Sequence, residues 1–315
     1  MTRPDTETTG PKPPALLTWG ASKLESRAPK LVRALRRTRD RSLVWRDSYA
    51  YRHYPDPGKP YGARYWRNHR RFVADALGDD DLLDRFRSGR PLPPGYGVGL
   101  DERVVEFPWL LARAPAGRVL DAGSALNHPH VLDRLLPGVR ELCVCTLAPE
   151  EQSFPDRGVS YVYADLREVP FRDGWFDTVA SVSTLDHVGM EVDRWGADAA
   201  VAEDPDTEFE KAVRELRRVT RRGGRLLLTV PYGAREDHGW LRQFDQADVE
   251  RLVRSAAPGA CEITVFAYDR RGWRLSSLEE AAGARYQAGN LPAADPGTED
   301  LAAAARAVAC IEATV

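Results

Sequence analysis

The groups able to do ligand or acid–base chemistry in this chain fall at a few strand ends and turns. Asp121 and Gly123 close the apolar run Arg118-Val-Leu-Asp-Ala-Gly-Ser-Ala-Leu-Asn127, and His128-Pro-His130 follows at once. A β-favouring run ending in Asp and Gly, then Val131, Leu132, Leu135 and Leu136 at helical spacing, reads as strand, tight turn and helix. Such a turn sets free backbone N–H groups and a helix start at the carboxyl end of a buried strand, where an open α/β sheet holds its ligand. Further along stand Asp165, the run Ser183-Thr-Leu-Asp186-His187, Tyr232 and His238. Histidine accepts a proton near neutral pH, so His187, His128, His130 and His238, together with Asp186 and Tyr232, are the candidate bases.

These groups need elements to position them. Apolar Val104, Val105, Phe107, Leu110 and Leu111 predict a helix over 101–113 ahead of the first strand. Strands are expected at 142–147, 159–165, 176–183, 225–231, 263–267 and 308–315, with helices between several of them, which means a largely parallel sheet. Thr207-Glu-Phe-Glu210 has the spacing of a capping box for a helix that Gly223-Gly224 would stop, and Asp245 with Asp248 can cap the next. Residues 1–14 have the composition of a disordered tail. Residues 15–100 read as a basic helical cap, with helices around Leu31–Trp45 and Arg67–Ala76 and Asp79-Asp80-Asp81 as punctuation. Residues 101–315 read as the main domain.

The 315 residues, 43% of them hydrophobic, suffice for one large α/β domain with an extension. No apolar run approaches the roughly 20 residues of a membrane span, and no hydrophobic signal core follows the N-terminus, so a cytoplasmic location is expected. Cys143, Cys145, Cys261 and Cys310 sit in apolar contexts without ligand spacing, so buried reduced thiols are expected and no metal site. Between Pro11 and Phe72, 16 Lys and Arg face four acids within a chain of net charge −2. That segment suits nucleic acid, an anionic membrane surface or a phosphorylated substrate, or equally a solvated arm on an acidic domain.

From about Val104 onward the chain resembles the class I S-adenosylmethionine-dependent methyltransferases, in particular the branch acting on small molecules and natural products. Val119-Leu-Asp-Ala-Gly123 resembles the nucleotide-binding turn, and Ala164-Asp-Leu166 with Val169-Pro-Phe171 the adenine-contacting loop. Phe176-Asp177 through Leu185-Asp-His-Val188 resembles the fourth strand and its exit; Leu216-Arg-Arg-Val219 through Gly223-Gly-Arg-Leu-Leu-Leu228 resembles the fifth unit. The resemblance implies a Rossmann-like α/β fold: a seven-stranded, mostly parallel sheet whose last strand, 308–315, is antiparallel. It implies S-adenosyl-L-methionine as cofactor, held by Asp121, Gly123, Ser124, Thr146, Leu147, Asp165, Leu166 and Ser183. Gly123 would admit the ligand where a Cβ would intrude, Asp121 would orient the turn or meet the ammonium, and Asp165 would accept from the adenine amine.

Two positions depart from the family pattern. The turn keeps only Gly123, with Ala125 and Asn127 where further glycines are common. The acid expected on both ribose hydroxyls falls on Thr146, a loss of about 1–2 kcal/mol unless Glu150 or Glu151 substitutes. The leading expectation is methyl transfer to an oxygen of a natural product or sugar-containing acceptor, with His187 as base or, alternatively, as a packing and turn element. A methyltransferase-fold enzyme of another reaction, a cyclisation or isomerisation, is the second reading. An RNA-binding methyltransferase ranks last, because Asn-Pro-Pro-Tyr and Pro-Cys acceptor loops are absent. A small-molecule acceptor is the expected partner, and a homodimer stays open.

Overall fold

The computed structural model describes residues 63–190, 205–287 and 304–315. The chain divides into two compact units, 1–57 and 58–315, and the described residues all belong to the second. The expected tail at 1–14 and the helix near Leu31–Trp45 lie outside the described residues.

Three helices precede the sheet: α1 (Ala63–Ala76), α2 (Asp80–Ser88) and α3 (Arg103–Ala112). The acidic triplet does more than punctuate. The Asp79 carboxylate accepts from Leu82 N at 3.1 Å and caps α2, whose Arg85 and Arg87 lie in the last turn before Gly89 at φ +65°. α3 carries Pro108 in its middle, which removes the N–H that would bond the Val104 carbonyl. The Tyr96 hydroxyl donates to that carbonyl instead, at 2.6 Å, so the helix continues without an orphaned acceptor.

The sheet elements follow: β1 (Gly117–Ala122), α4 (Pro129–Leu135), β2 (Val139–Thr146), β3 (Val159–Tyr163), β4 (Phe176–Val182), α5 (Pro205–Val219) and β5 (Thr220–Pro231). A two-residue ribbon comes next, β6 (Glu236–Asp237) against β7 (Arg242–Gln243), then α6 (Gln246–Ala256), β8 (Ala260–Asp269), β9 (Gly272–Ser276), α7 (Leu278–Ala281) and β10 (Ala307–Thr314). The main sheet has the order β3-β2-β1-β4-β5-β10-β8-β9, with β1 to β5 mutually parallel and β10 antiparallel to β5 and β8. This is the Rossmann-like class I methyltransferase fold.

It differs from the seven-stranded expectation by one strand. β9 pairs antiparallel with β8 and forms the edge, where Trp273 N donates to the Tyr96 carbonyl at 2.8 Å and Trp273 Nε1 to the Leu100 carbonyl at 3.0 Å. The loop before α3 thereby covers the edge that an eighth strand would expose. Two other expectations shift. α5 begins at Pro205, so Thr207 lies inside it rather than capping it, and the helix ends at Val219; Gly223 and Gly224 lie within β5. Cys261 is exposed on β8, whereas Cys145 and Cys310 are buried and Cys143 half-buried.

One apolar core fills the face under α1 to α4, from Tyr65, Phe86 and Tyr96 through Phe107 and Trp109 to Val119 and Trp273. The other fills the opposite face, under α5 and α6, around Phe209, Leu216, Phe244 and Leu252. Residues 63–100 thus share a continuous core with the sheet. Among the described residues no helix is long and apolar enough to cross a membrane.

Candidate functional site

The chain leaves β1 toward β2 on one side, while β4 and β5 build the other, so a crevice opens at the carboxyl ends of β1 and β4. A cavity of about 620 Å³ lies there, within the size range of small-molecule sites. Its wall includes Gly123, Thr146, Leu147, Asp165, Leu166, Ser183 and His187, seven of the expected site residues. Asp121, Ser124 and Asp186 are buried just behind it. The structure does not bring Tyr232 to the cavity. Its ring is fully buried at the end of β5 and its hydroxyl donates to the Leu278 carbonyl at 2.8 Å, which removes it from the candidate bases. His128, His130 and His238 also stand outside the lining.

The turn after β1 is organised by Asp121. Its Oδ2 accepts from Leu126 N at 2.9 Å, and the Ala125 amide also faces the carboxylate. Gly123 N donates to the Cys145 carbonyl at 2.8 Å, so these turn N–H groups are satisfied within the protein, whereas the sequence predicts free ones. Gly123 itself, at φ +116°, is required for a different reason than ligand access. A Cβ there would strike the side chain of Thr184 at the end of β4. Ser124 takes φ +63°, a left-handed conformation more usual for glycine.

Three polar atoms around the cavity are buried without a partner: Asp121 Oδ1, Ser124 Oγ and Asp186 Oδ1. Buried polar groups are rarely left so. Burial pushes the Asp121 carboxyl up to about 7, against the hydrogen bond from Leu126. Burial likewise raises Asp186, against the attraction of His187.

His187 sits in a one-turn helix after β4, with its ring stacked on Trp240 at 5.5 Å. Its Nδ1 lies 2.7 Å from the Trp240 carbonyl, and only an N–H can pair with a carbonyl. Nδ1 therefore carries the proton in the neutral ring, and Nε2, 3.4 Å from Asp186 Oδ2, is the basic atom.

Further residues complete the site, and of these Arg167 and Trp240 were missed by sequence reasoning. Glu106, fully buried on α3, accepts from Ser183 Oγ and Thr229 Oγ1, both at 2.6 Å, and pairs with Arg103, whose side chain lines the cavity. Although burial works against its charge, Glu106, Glu102 and Asp101 raise the Arg103 guanidinium above its ordinary value. Ser183, at φ +38°, is thus held by Glu106 below the cavity. Arg167 grips Asp165 through its backbone N–H at 2.8 Å and its Nη2 at 2.7 Å, and reaches Glu208 at 2.6 Å. Against the burial that opposes it, Arg167 holds Asp165 below the usual carboxylate range and leaves it little capacity for another donor. Glu150 and Glu151 line the cavity beside Thr146, and Glu150 Oε2 accepts from Asn127 Nδ2 at 3.2 Å. Among the described residues no cluster of three potential metal ligands occurs.

Residues 141–228 match the family described as "Methyltransferase domain". No curated protein matches the sequence. Similar solved structures include 1,6-didemethyltoxoflavin-N1-methyltransferase from Burkholderia thailandensis, with 1,6-didemethyltoxoflavin and S-adenosylhomocysteine bound. That likeness has 17% identity, 76% of this chain and 88% of the other covered, and a TM-score of 0.41. The YcgJ protein from Bacillus subtilis is 15% identical over 66% of this chain and 97% of its own, with a TM-score of 0.41. The 4+2 cyclase SpnF is 19% identical over 62% and 74%, with a TM-score of 0.38.

Proposed function

We propose that this chain, which has the class I methyltransferase fold and a methyltransferase-domain match at its centre, binds S-adenosylmethionine and methylates an oxygen of a small-molecule acceptor. The observation that carries the reading is the set of buried, unpartnered atoms of Asp121, Ser124 and Asp186 around a cavity at the sheet's switch point. The residues suit the cofactor. Asp121 and Ser124, buried behind the wall, set the turn beside which an ammonium would lie, Glu150 and Glu151 offer carboxylates for ribose hydroxyls in place of Thr146, and Leu166 with Leu147 offers apolar wall for a purine. When bound, S-adenosylmethionine supplies an electrophilic methyl group on a sulfonium.

The chain's own work is to orient the acceptor and take its proton. His187 Nε2 is the base: the Trp240 carbonyl fixes the tautomer, the Trp240 ring fixes the plane, and Asp186 stabilises the imidazolium once it forms. Arg103, held by Glu106, presents a cation to the same wall. The acceptor belongs to the small-molecule class, and natural products are the group it is drawn from.

Titration calorimetry with S-adenosylhomocysteine tests the cofactor, and transfer of labelled methyl to a panel of phenolic and sugar-containing acceptors tests the reaction. No heat at millimolar ligand would sink the reading. A second reading is favoured by two features: the turn uses its own N–H groups internally, and Thr146 replaces the ribose acid. It makes the chain a methyltransferase-fold enzyme of a non-methylating reaction, distinguished by cofactor binding with no labelled product from any acceptor.

A further inference from the structure

A second group of basic side chains stands outside the cavity lining, where α1 meets the start of α4. His128 is the first residue flanking α4, yet its side chain makes no capping bond, and its exposed ring stacks on that of His130 at 5.7 Å. The Nε2 of His130 is buried without a hydrogen-bond partner. Arg70, on α1, uses its Nε on the Trp66 carbonyl at 3.2 Å. The group is continuous with the cavity through Phe107, whose ring lies 6.3 Å from that of His128 and 5.9 Å from the Arg103 guanidinium.

The neighbouring charges are unevenly balanced. His69 is paired with Asp101 at 2.7 Å and Arg103 with Glu106, but the groups facing His128 are Arg103, His69 and Arg70. Those facing His130 are His128, His69 and Arg70, with Asp133 the one carboxylate. Desolvation first, and then these cations, lower both imidazoles to about 4. Rings placed merely to fill space would not need two nitrogen heterocycles beside two arginines, one with a buried unpaired nitrogen.

We infer that His128, His130 and Arg70 form a seat for an oxyanion, a carboxylate or phosphate carried by the acceptor, next to Arg103 at the cavity wall. The inference rests on the proposed function, because it names the class of acceptor that the cavity takes. An anion in this seat supplies the missing counter-charge, draws protons onto both imidazoles and gives the buried His130 nitrogen a partner.

The test is titration of the full chain with sulfate, whose charge is constant across the range, in saturating S-adenosylhomocysteine and at fixed ionic strength. Sulfate should bind, should take up protons, and should bind more tightly as the pH falls from 7 to 5. His128→Gln and Arg70→Gln should each weaken it about tenfold or more while keeping the melting temperature and S-adenosylhomocysteine affinity of the parent. Absence of sulfate binding at pH 5, or equal binding by both variants, with S-adenosylhomocysteine bound normally, would overturn the seat. Displacement of sulfate by S-adenosylhomocysteine would assign it to the cofactor's carboxylate and overturn the acceptor assignment. Failure of S-adenosylhomocysteine itself to bind would strike the proposed function, and is read separately in the same titration.

Discussion

At the scale of single residues, the site depends on side chains whose orientation is fixed by a neighbour. His187 is held at Nδ1 by a carbonyl and along its face by the Trp240 ring, and both constraints act on one basic nitrogen. Replacing His187 with alanine should lower turnover by roughly 10² to 10⁴ and leave S-adenosylhomocysteine affinity nearly unchanged, because a base acts on the acceptor proton alone. The pH–rate profile of that variant should lose its acid limb. Unchanged turnover in a folded variant would remove His187 from the chemistry. Glu106 makes a different case: it is fully buried and satisfies two hydroxyls and one guanidinium at once. Glu106→Ala leaves Arg103 and both hydroxyls unpaired, and should cost about 3 kcal/mol, read by urea denaturation. A loss under about 1 kcal/mol would mean that water replaces the carboxylate with little penalty.

At the scale of elements, α3 ties the helical layer to the sheet, and its continuity rests on a substitute hydrogen bond. Tyr96→Phe removes the donor from the Val104 carbonyl and should cost about 1–3 kcal/mol. Combined with Pro108→Ala, which restores the helical N–H, the same substitution should cost much less. Additive losses in that double-mutant cycle would refute the compensation. The exit of β2 supplies a second case. Thr146→Asp should leave cofactor affinity equal or tighter, measured by calorimetry, since a carboxylate there can take both ribose hydroxyls; markedly weaker binding would show that Thr146 is not at the ribose. The regular elements were legible because apolar runs such as 119–120 and 226–228, with Asp and Gly at their ends, are local signals. β9 was not, since Gly272-Trp-Arg-Leu-Ser276 is short, carries a charge and owes its place to a loop some 170 residues earlier, reached by the 173-residue separation of Trp273 and Leu100. The site divides in the same way. Asp121, Gly123 and Thr146 are turn and strand-end residues and announce themselves. Glu106 reaches its two hydroxyl partners across 77 and 123 positions and Trp240 reaches His187 across 53, which no spacing rule encodes.

At the scale of the molecule, acids converge under the cavity from both sides of the sheet's switch point, with Asp121 at the end of β1, Asp186 beyond β4, and Glu102 and Glu106 at α3. Burial, then the charges of Asp101 and Glu106, push the Glu102 carboxyl up to about 8, and burial pushes Asp121 up to about 7. Both groups therefore keep in the folded protein a proton that the unfolded chain has released near its ordinary value of about 4. Their contribution to stability is fully present below that value and is lost as the pH rises through about 7 and 8. His128 and His130, lowered to about 4, act in the opposite sense up to the ordinary imidazole value of about 6.5, so without ligand the melting temperature should fall between about pH 6.5 and pH 8, and Asp121→Asn should flatten part of that fall. A cationic ligand works in the opposite sense, because it favours the ionised carboxylates and releases their protons on binding. S-adenosylmethionine, which carries one more positive charge than S-adenosylhomocysteine, should gain stabilising power relative to it as the pH rises across the same window, and Asp121→Asn should shrink that difference. Thermal melts of the parent and variant, with each ligand and with neither, measure all of this in one series. A melting temperature that is level or rising from pH 6.5 to pH 8 in the unliganded parent would show that these carboxylates are ionised throughout, and the argument from their burial would fall.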